Sequence, residues 1–232
     1  MEEPAIILET INLRKAFGAL VAVADVSIRF QANTLHSIIG PNGAGKTTLF
    51  NAVAGAFKPT SGQIVFDGRD ITGLPADAVC RLGMARTFQV TRPFAAMTCL
   101  ENIMVAAVNR HPRKPRSFIE DYAREKLGLV GLAGMEGFEA RQLNVVQKKR
   151  LEMARAIATA PKLLMLDEVL GGLNTQEINQ AVEFIRSLRD RLGLTVLWIE
   201  HVMGAVMQAA ERVIVLDQGK VLMAGTPHEV VN

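Results

Sequence analysis

The sequence predicts an α/β fold: a mainly parallel sheet with an antiparallel β subdomain and a helical subdomain attached to it. Three observations lead there. A short apolar run, residues 35–39, leads directly into a glycine-rich stretch, 40–48, and helical spacing follows. Two more short apolar runs, 163–166 and 195–199, flank a segment in which Ile178, Val182, Ile185 and Leu188 recur at the helical interval, as parallel strands joined by a crossover helix do. Asp67-Gly68 lies between two strand-like runs, 63–66 and 69–71, which is the strongest short signal for an antiparallel hairpin.

Taken in order, residues 5–30 read as β-rich, with Val21, Val23, Val26 and Ile28 extended and Gly18 as the turn between two runs. The run 35–39 and the helix opening near Lys46 bracket the glycine-rich loop, and the 63–71 hairpin follows. A helix from Pro75 to Leu82 ends before Gly83. Thr98-x-x-Glu101 is a capping box that starts another. A second box, Ser117-x-x-Glu120, is expected to open a helix that stops at Gly128. Between them the basic, proline-containing stretch 109–116 suits a solvated loop, with an anionic lipid or nucleic-acid contact as the alternative. Residues 148–158 read as a helix ended by Pro161. Gly193 ends the helix before 195–199, and 212–216 with 221–223 form a closing hairpin around Gln218-Gly219. One domain is expected over 1–232, its helical subdomain covering approximately 90–160.

At 232 residues and 49% hydrophobic content the chain can bury a full core. Its net charge of +3 points to neither nucleic acid nor membrane as a direct partner. Cys80 and Cys99 have no metal-binding or redox spacing, and the acidic start at Glu2 and Glu3 is unlike a secretory leader, so a reducing cytoplasm is expected. No apolar run approaches the length of a spanning helix, so contact with a membrane is expected through another protein.

The chemistry begins at residues 40–48, GPNGAGKTT, which fit G-x-x-x-x-G-K-S/T through Gly40, Gly45, Lys46 and Thr47. Gly40, Gly43 and Gly45 allow the backbone to turn its N–H groups inward on an anion, and the helix behind adds the positive end of its dipole. With a strand entering and a helix leaving, the pattern marks a P-loop NTPase core. Lys46 is expected to reach the β- and γ-phosphates and Thr47 to place its hydroxyl on Mg²⁺, so the expected ligand is a nucleoside triphosphate with its metal. Asp167 and Glu168 end an apolar strand, at the sheet edge where ligands of open α/β folds bind. Asp167 is expected to hold the metal and Glu168 to polarise the attacking water; the bland alternative is a dipole-stabilised pair at a helix start. His201 ends the next strand and comes beside Glu168 if the two strands are neighbours.

Over nearly its whole length the chain resembles the ATP-binding cassette family, the motor subunits of ABC transporters. Phe17 stands where the family stacks an aromatic on adenine. The loop Gly40, Pro41, Asn42, Gly43, Ala44, Gly45, Lys46, Thr47 and Thr48 is the Walker A loop, and Gln89 matches the Q-loop glutamine that touches the metal and senses the membrane subunit. Leu143, Asn144, Val145, Val146 and Gln147 lie where the L-S-G-G-Q signature belongs. Asp167 and Glu168 match Walker B, Gly172-Leu173-Asn174 the D-loop, and His201 the switch histidine. The resemblance implies ATP and Mg²⁺ as ligands and Thr47, Gln89 and Asp167 as metal residues, with Glu168, His201 and Gln89 as the catalytic set. It also implies a signature that serves the nucleotide of the opposite subunit.

Residues 17–23, 67–74, 85–89, 100–102 and 172–174 are similar to the ATPase subunit of bacterial branched-chain amino-acid importers. That resemblance implies a second ATPase subunit, identical or paralogous, two membrane permeases, an indirect link to a periplasmic binding protein, and a peripheral place on the cytoplasmic face of the cell membrane. Urea, amides or other hydrophobic amino acids are alternative cargoes. Exposed Phe94 and Met97 are expected to dock a permease helix. The signature departs from the family pattern: Asn144 replaces serine and two valines replace glycines, for which left-handed backbone would be a poor conformation. A catalytically weak subunit that needs a paralogous partner is therefore a second expectation. Soluble ABC proteins, which carry coiled coils or two cassettes, and GTPases, which need an N-K-x-D motif, fit less well.

Overall fold

The computed structural model describes residues 5–88 and 91–231. Strands β1 (Ile6–Phe17) and β2 (Leu20–Gln31) pair antiparallel around the turn at Gly18. β3 (Leu35–Ile39), buried at all five residues, leads into the glycine-rich loop and α1 (Lys46–Val53). β4 (Ser61–Phe66) and β5 (Arg69–Asp70) form the expected hairpin, with Asp67 at φ 50° and Gly68 at φ 74° supplying the left-handed pair that a tight type I′ turn requires. α2 (Ala76–Arg81) and β6 (Met84–Arg86) follow. Then come α3 (Cys99–Arg110), α4 (Arg116–Leu129), a 3₁₀ turn at Ala140–Gln142 and α5 (Val145–Ile157). β7 (Leu163–Asp167), α6 (Thr175–Leu192), β8 (Thr195–Ile199), α7 (Met203–Ala209), β9 (Arg212–Asp217), β10 (Lys220–Gly225) and α8 (Pro227–Val231) complete the chain.

One sheet, ordered β2-β1-β4-β5, is antiparallel; the other, β10-β9-β3-β8-β7-β6, is parallel except where β10 folds back on β9. The apolar runs are continuous because the parallel sheet is covered on both faces. Met165, Leu197 and Ile199 pack toward the antiparallel sheet with Leu13, Phe30, Phe50 and Phe66. Leu164, Leu166, Val196 and Trp198 pack toward the helices, with Ile103, Leu127, Leu151 and Ile185. The two-residue period thus divides each strand between two cores.

Two helix starts differ from the sequence-based expectation. α4 begins at Arg116 with Pro115 as its cap, so Ser117 lies inside the first turn, and Glu120 pairs with Arg116 and Arg124 instead of closing a box. The helix also runs through Gly128 to Leu129. α5 begins at Val145, three residues ahead of Lys148, because Asn144 caps it: the Asn144 Oδ1 accepts from the Gln147 N–H at 2.9 Å and the Gln147 Oε1 from the Asn144 N–H at 3.0 Å. Of the basic stretch, Asn109 and Arg110 belong to α3 and Arg116 to α4, which leaves 111–115 as the loop.

Candidate functional site

The glycine-rich loop leaves β3 between β9 and β8. Gly40 (φ 147°) and Gly45 (φ 97°) are required twice over: a Cβ on Gly40 would lie 1.9 Å from the Leu216 carbonyl oxygen, and one on Gly45 would lie 2.2 Å from that of Ala22. The β9–β10 turn braces the loop, since the Gly219 N–H donates to the Ala44 carbonyl at 3.0 Å while its own carbonyl accepts from Ala24 at 2.8 Å. Lys46 is nearly buried, its Nζ donating to the carbonyls of Gly40 (2.7 Å) and Pro41 (2.9 Å). Pro41, Asn42, Gly43 and Thr47 are exposed at the mouth, and Ala44 is buried beneath it. Phe17 stands half exposed, edge-on to Phe57 with ring centroids 5.5 Å apart, and the Lys15 ammonium lies against both rings.

β7 and β8 are neighbours in register, with Asp167 opposite Ile199, so the residues just past both strands emerge side by side. Glu168 takes a left-handed φ of 47°, uncommon for a residue with a side chain, and its N–H donates to the Ile199 carbonyl at 3.0 Å. The structure places the His201 Nδ1 4.0 Å from the Glu168 Oε1. Asp167 is buried and ion-paired to the Arg86 guanidinium at 2.6 Å. Among the described residues no cluster of three or more His, Cys, Asp or Glu forms a metal cage. The single carboxylate of Asp167 and the Thr47 hydroxyl are hard oxygen donors, the set that suits a Mg²⁺ carried in largely by phosphate and water. Gln89, expected as a metal and catalytic residue, lies outside the described residues.

The signature residues appear in an unexpected form. Asn144 is extended (φ −72°, ψ 175°), and Val145 and Val146 form the first turn of α5 in ordinary helical conformation. The expected left-handed backbone is absent, so the valines are unstrained there; Val145 stands exposed in front of the helix N-terminus. Phe94 is exposed under the Arg155 guanidinium, and Met97 is partly buried.

Several further residues organise the site. Glu200, fully buried, accepts from the Leu170 N–H at 3.1 Å and from the His201 N–H at 3.0 Å, so one carboxylate ties the exits of β7 and β8 together. The Lys149 ammonium on α5 donates to the Val169 and Gly171 carbonyls, and burial lowers its pKa. Glu152, one turn further on, accepts from the Phe88 N–H at 2.6 Å, and burial raises its pKa. Asn174, in the D-loop position, caps α6 in a box with Glu177; like Asn144 with Gln147, it is visible in the sequence as N-x-x-E/Q.

A strand, a glycine-rich loop and a helix in a parallel sheet, with Asp167, Glu168 and His201 at the carboxyl ends of the neighbouring strands, define the P-loop NTPase class. The family model described as ABC transporter matches residues 23–171. The chain is 41% identical, over 97% of its length and 93% of theirs, to the high-affinity branched-chain amino acid transport ATP-binding protein BraF of Pseudomonas aeruginosa, and 39% identical, over 100% and 95%, to LivG of Salmonella typhimurium. Among solved structures it is similar to an ATP-binding cassette of an ABC transporter in its ADP conformation, with 29% identity, 98% and 94% coverage and a TM-score of 0.89. The chain belongs to the ABC transporter family, as an ATPase subunit.

Proposed function

We propose that the chain is the ATP-hydrolysing motor of a membrane importer for branched-chain or related hydrophobic amino acids, docked on the cytoplasmic face beneath two permeases and linked through them to a periplasmic binding protein. The observation that carries the reading is the convergence of Lys46, Asp167, Glu168 and His201 at one sheet edge in a chain so similar, over nearly its whole length, to two branched-chain amino acid transport ATP-binding proteins. No helix among the described residues is long and apolar enough to cross a membrane.

In this reading Phe17 stacks on adenine and residues 40–48 hold the phosphates with backbone N–H groups. Lys46 exchanges a carbonyl contact for a phosphate oxygen. Thr47 and Asp167 would hold Mg²⁺, which when bound would supply neutralisation of phosphate charge. Glu168 accepts a proton from the attacking water, and His201 orients that water or a γ-phosphate oxygen. Asn144, Val145, Val146 and Gln147 face the nucleotide of the second ATPase subunit. The signature's two valines, of which Val145 is exposed, favour a paralogous partner over an identical one. The helical subdomain, described from residue 91 to about residue 160, meets the permease through Phe94. Uptake of labelled leucine in cells carrying the matching permeases tests this: Phe94→Asp is expected to abolish uptake and co-purification with the permeases while ATP still binds, and undiminished uptake would remove that surface from the account.

A further inference from the structure

Arg86 ends β6, the strand beside β7, and reaches across to the carboxylate that the proposed function assigns to the metal. Its side chain is only 12% exposed, and its fork has two distinct ends. One nitrogen donates to the Asp167 Oδ2 at 2.6 Å, and the other donates to the Asn51 Oδ1 on α1, the helix that follows the phosphate loop. The guanidinium carbon lies over the rings of Phe50 (5.8 Å) and Phe88 (5.4 Å), and the Phe88 N–H is itself held by Glu152 of α5. A single planar cation therefore meets the phosphate-loop helix, the Asp167 strand and the segment that leads to Gln89.

We propose that Arg86 is a positioning residue for Asp167: it fixes the rotation of the carboxylate relative to α1, so that the nucleotide's Mg²⁺ meets a preoriented oxygen. The geometry needs arginine, because a lysine ammonium has no second, coplanar arm to reach Asn51. Partners that orient a metal-binding carboxylate typically affect metal affinity by about 10–100-fold. The opposite idea is that Arg86 is a resident cation competing with the metal. It predicts the opposite sign, since removal would then tighten Mg²⁺ binding.

The proposal rests on Asp167 serving the metal, so the experiment separates the two. Binding of trinitrophenyl-ATP to the full chain is followed by fluorescence, first in EDTA and then through a Mg²⁺ titration. For Arg86→Gln the half-saturating Mg²⁺ concentration is expected to rise about 10–100-fold while affinity in EDTA stays within about twofold of the parent, with Arg86→Lys in between. Asn51→Ala, which keeps both charges, is expected to shift the same way by less, and it decides the matter if Arg86→Gln does not fold. An unchanged or lowered Mg²⁺ midpoint in the folded variants overturns the role of Arg86 and leaves the metal reading standing. A parent chain whose binding ignores Mg²⁺ overturns both.

Discussion

Replacing Val145 and Val146 together by glycine is expected to raise the ATP turnover of the chain purified alone. The magnitude follows from the first turn of α5. A helix leaves its first N–H groups without partners inside the helix, and Asn144 takes only that of Gln147. The N–H groups of residues 145 and 146 have no partner within the helix and are the donors the proposed function offers to the opposite nucleotide, beneath valine side chains of which the first is 59% exposed. Their backbone is already helical, so glycine is wanted for its small size and not for its conformational freedom. One preorganised donor to a developing oxyanion is worth about 3–4 kcal/mol, so exposing one gives about 10²–10³ in rate. The cost is small, roughly 0.5 kcal/mol of helix propensity per valine replaced, and the Asn144–Gln147 box stays in place. The assay is steady-state phosphate release at saturating Mg-ATP, with thermal melts of both proteins as the folding control. Brisk release by the parent and no gain in the double variant would refute the reasoning and remove the case for a paralogous partner.

Lys46→Ala removes the ammonium bonded to the Gly40 and Pro41 carbonyls and is expected to abolish nucleotide binding while circular dichroism stays unchanged; binding at parental affinity would dismiss the loop's cation. Acid stability offers a separate check, because burial lowers the pKa of His36 from 6.5 to about 4. The folded chain binds fewer protons there than the unfolded one, so the stabilisation is complete above the unfolded pKa and is lost as pH falls from 6.5 toward 4, by roughly 3 kcal/mol in all. Urea unfolding at pH 7.5 and pH 5 is expected to show parental stability dropping by about 2 kcal/mol more than that of His36→Asn, and equal drops would contradict the linkage.

Much of this was legible in the sequence because the signals are local. A strand, three glycines, a lysine and a helix start make the phosphate loop from fewer than fifteen consecutive residues. Asp167-Glu168 and His201 needed only the further expectation that successive strands pair, which β7 and β8 satisfy. The network around Asp167 was not legible: Arg86 and Asp167 are 81 residues apart, Arg86 and Asn51 are 35 apart, and only the strand order brings them together. The start of α5 was hidden by chemistry, since two β-branched valines weaken the helical signal just where Asn144 and Gln147 supply the cap. The Ser117 box failed for the converse reason. Its spacing is right, but Pro115 stands in extended conformation as the N-cap, so the helix opens at Arg116, which takes Glu120 for an i,i+4 pair.

The central claim is that Glu168, left-handed in backbone just past β7 and 4.0 Å from His201, accepts the proton of the attacking water. Glu168→Gln keeps the shape and loses the base, so single-turnover hydrolysis of bound ATP is the direct measurement. The account predicts a rate lowered by about 10²–10⁴-fold with ATP affinity retained, and a dimer that light scattering detects with ATP but not with ADP. Hydrolysis at the parental rate would contradict it and reduce Glu168 to a structural residue at the end of β7.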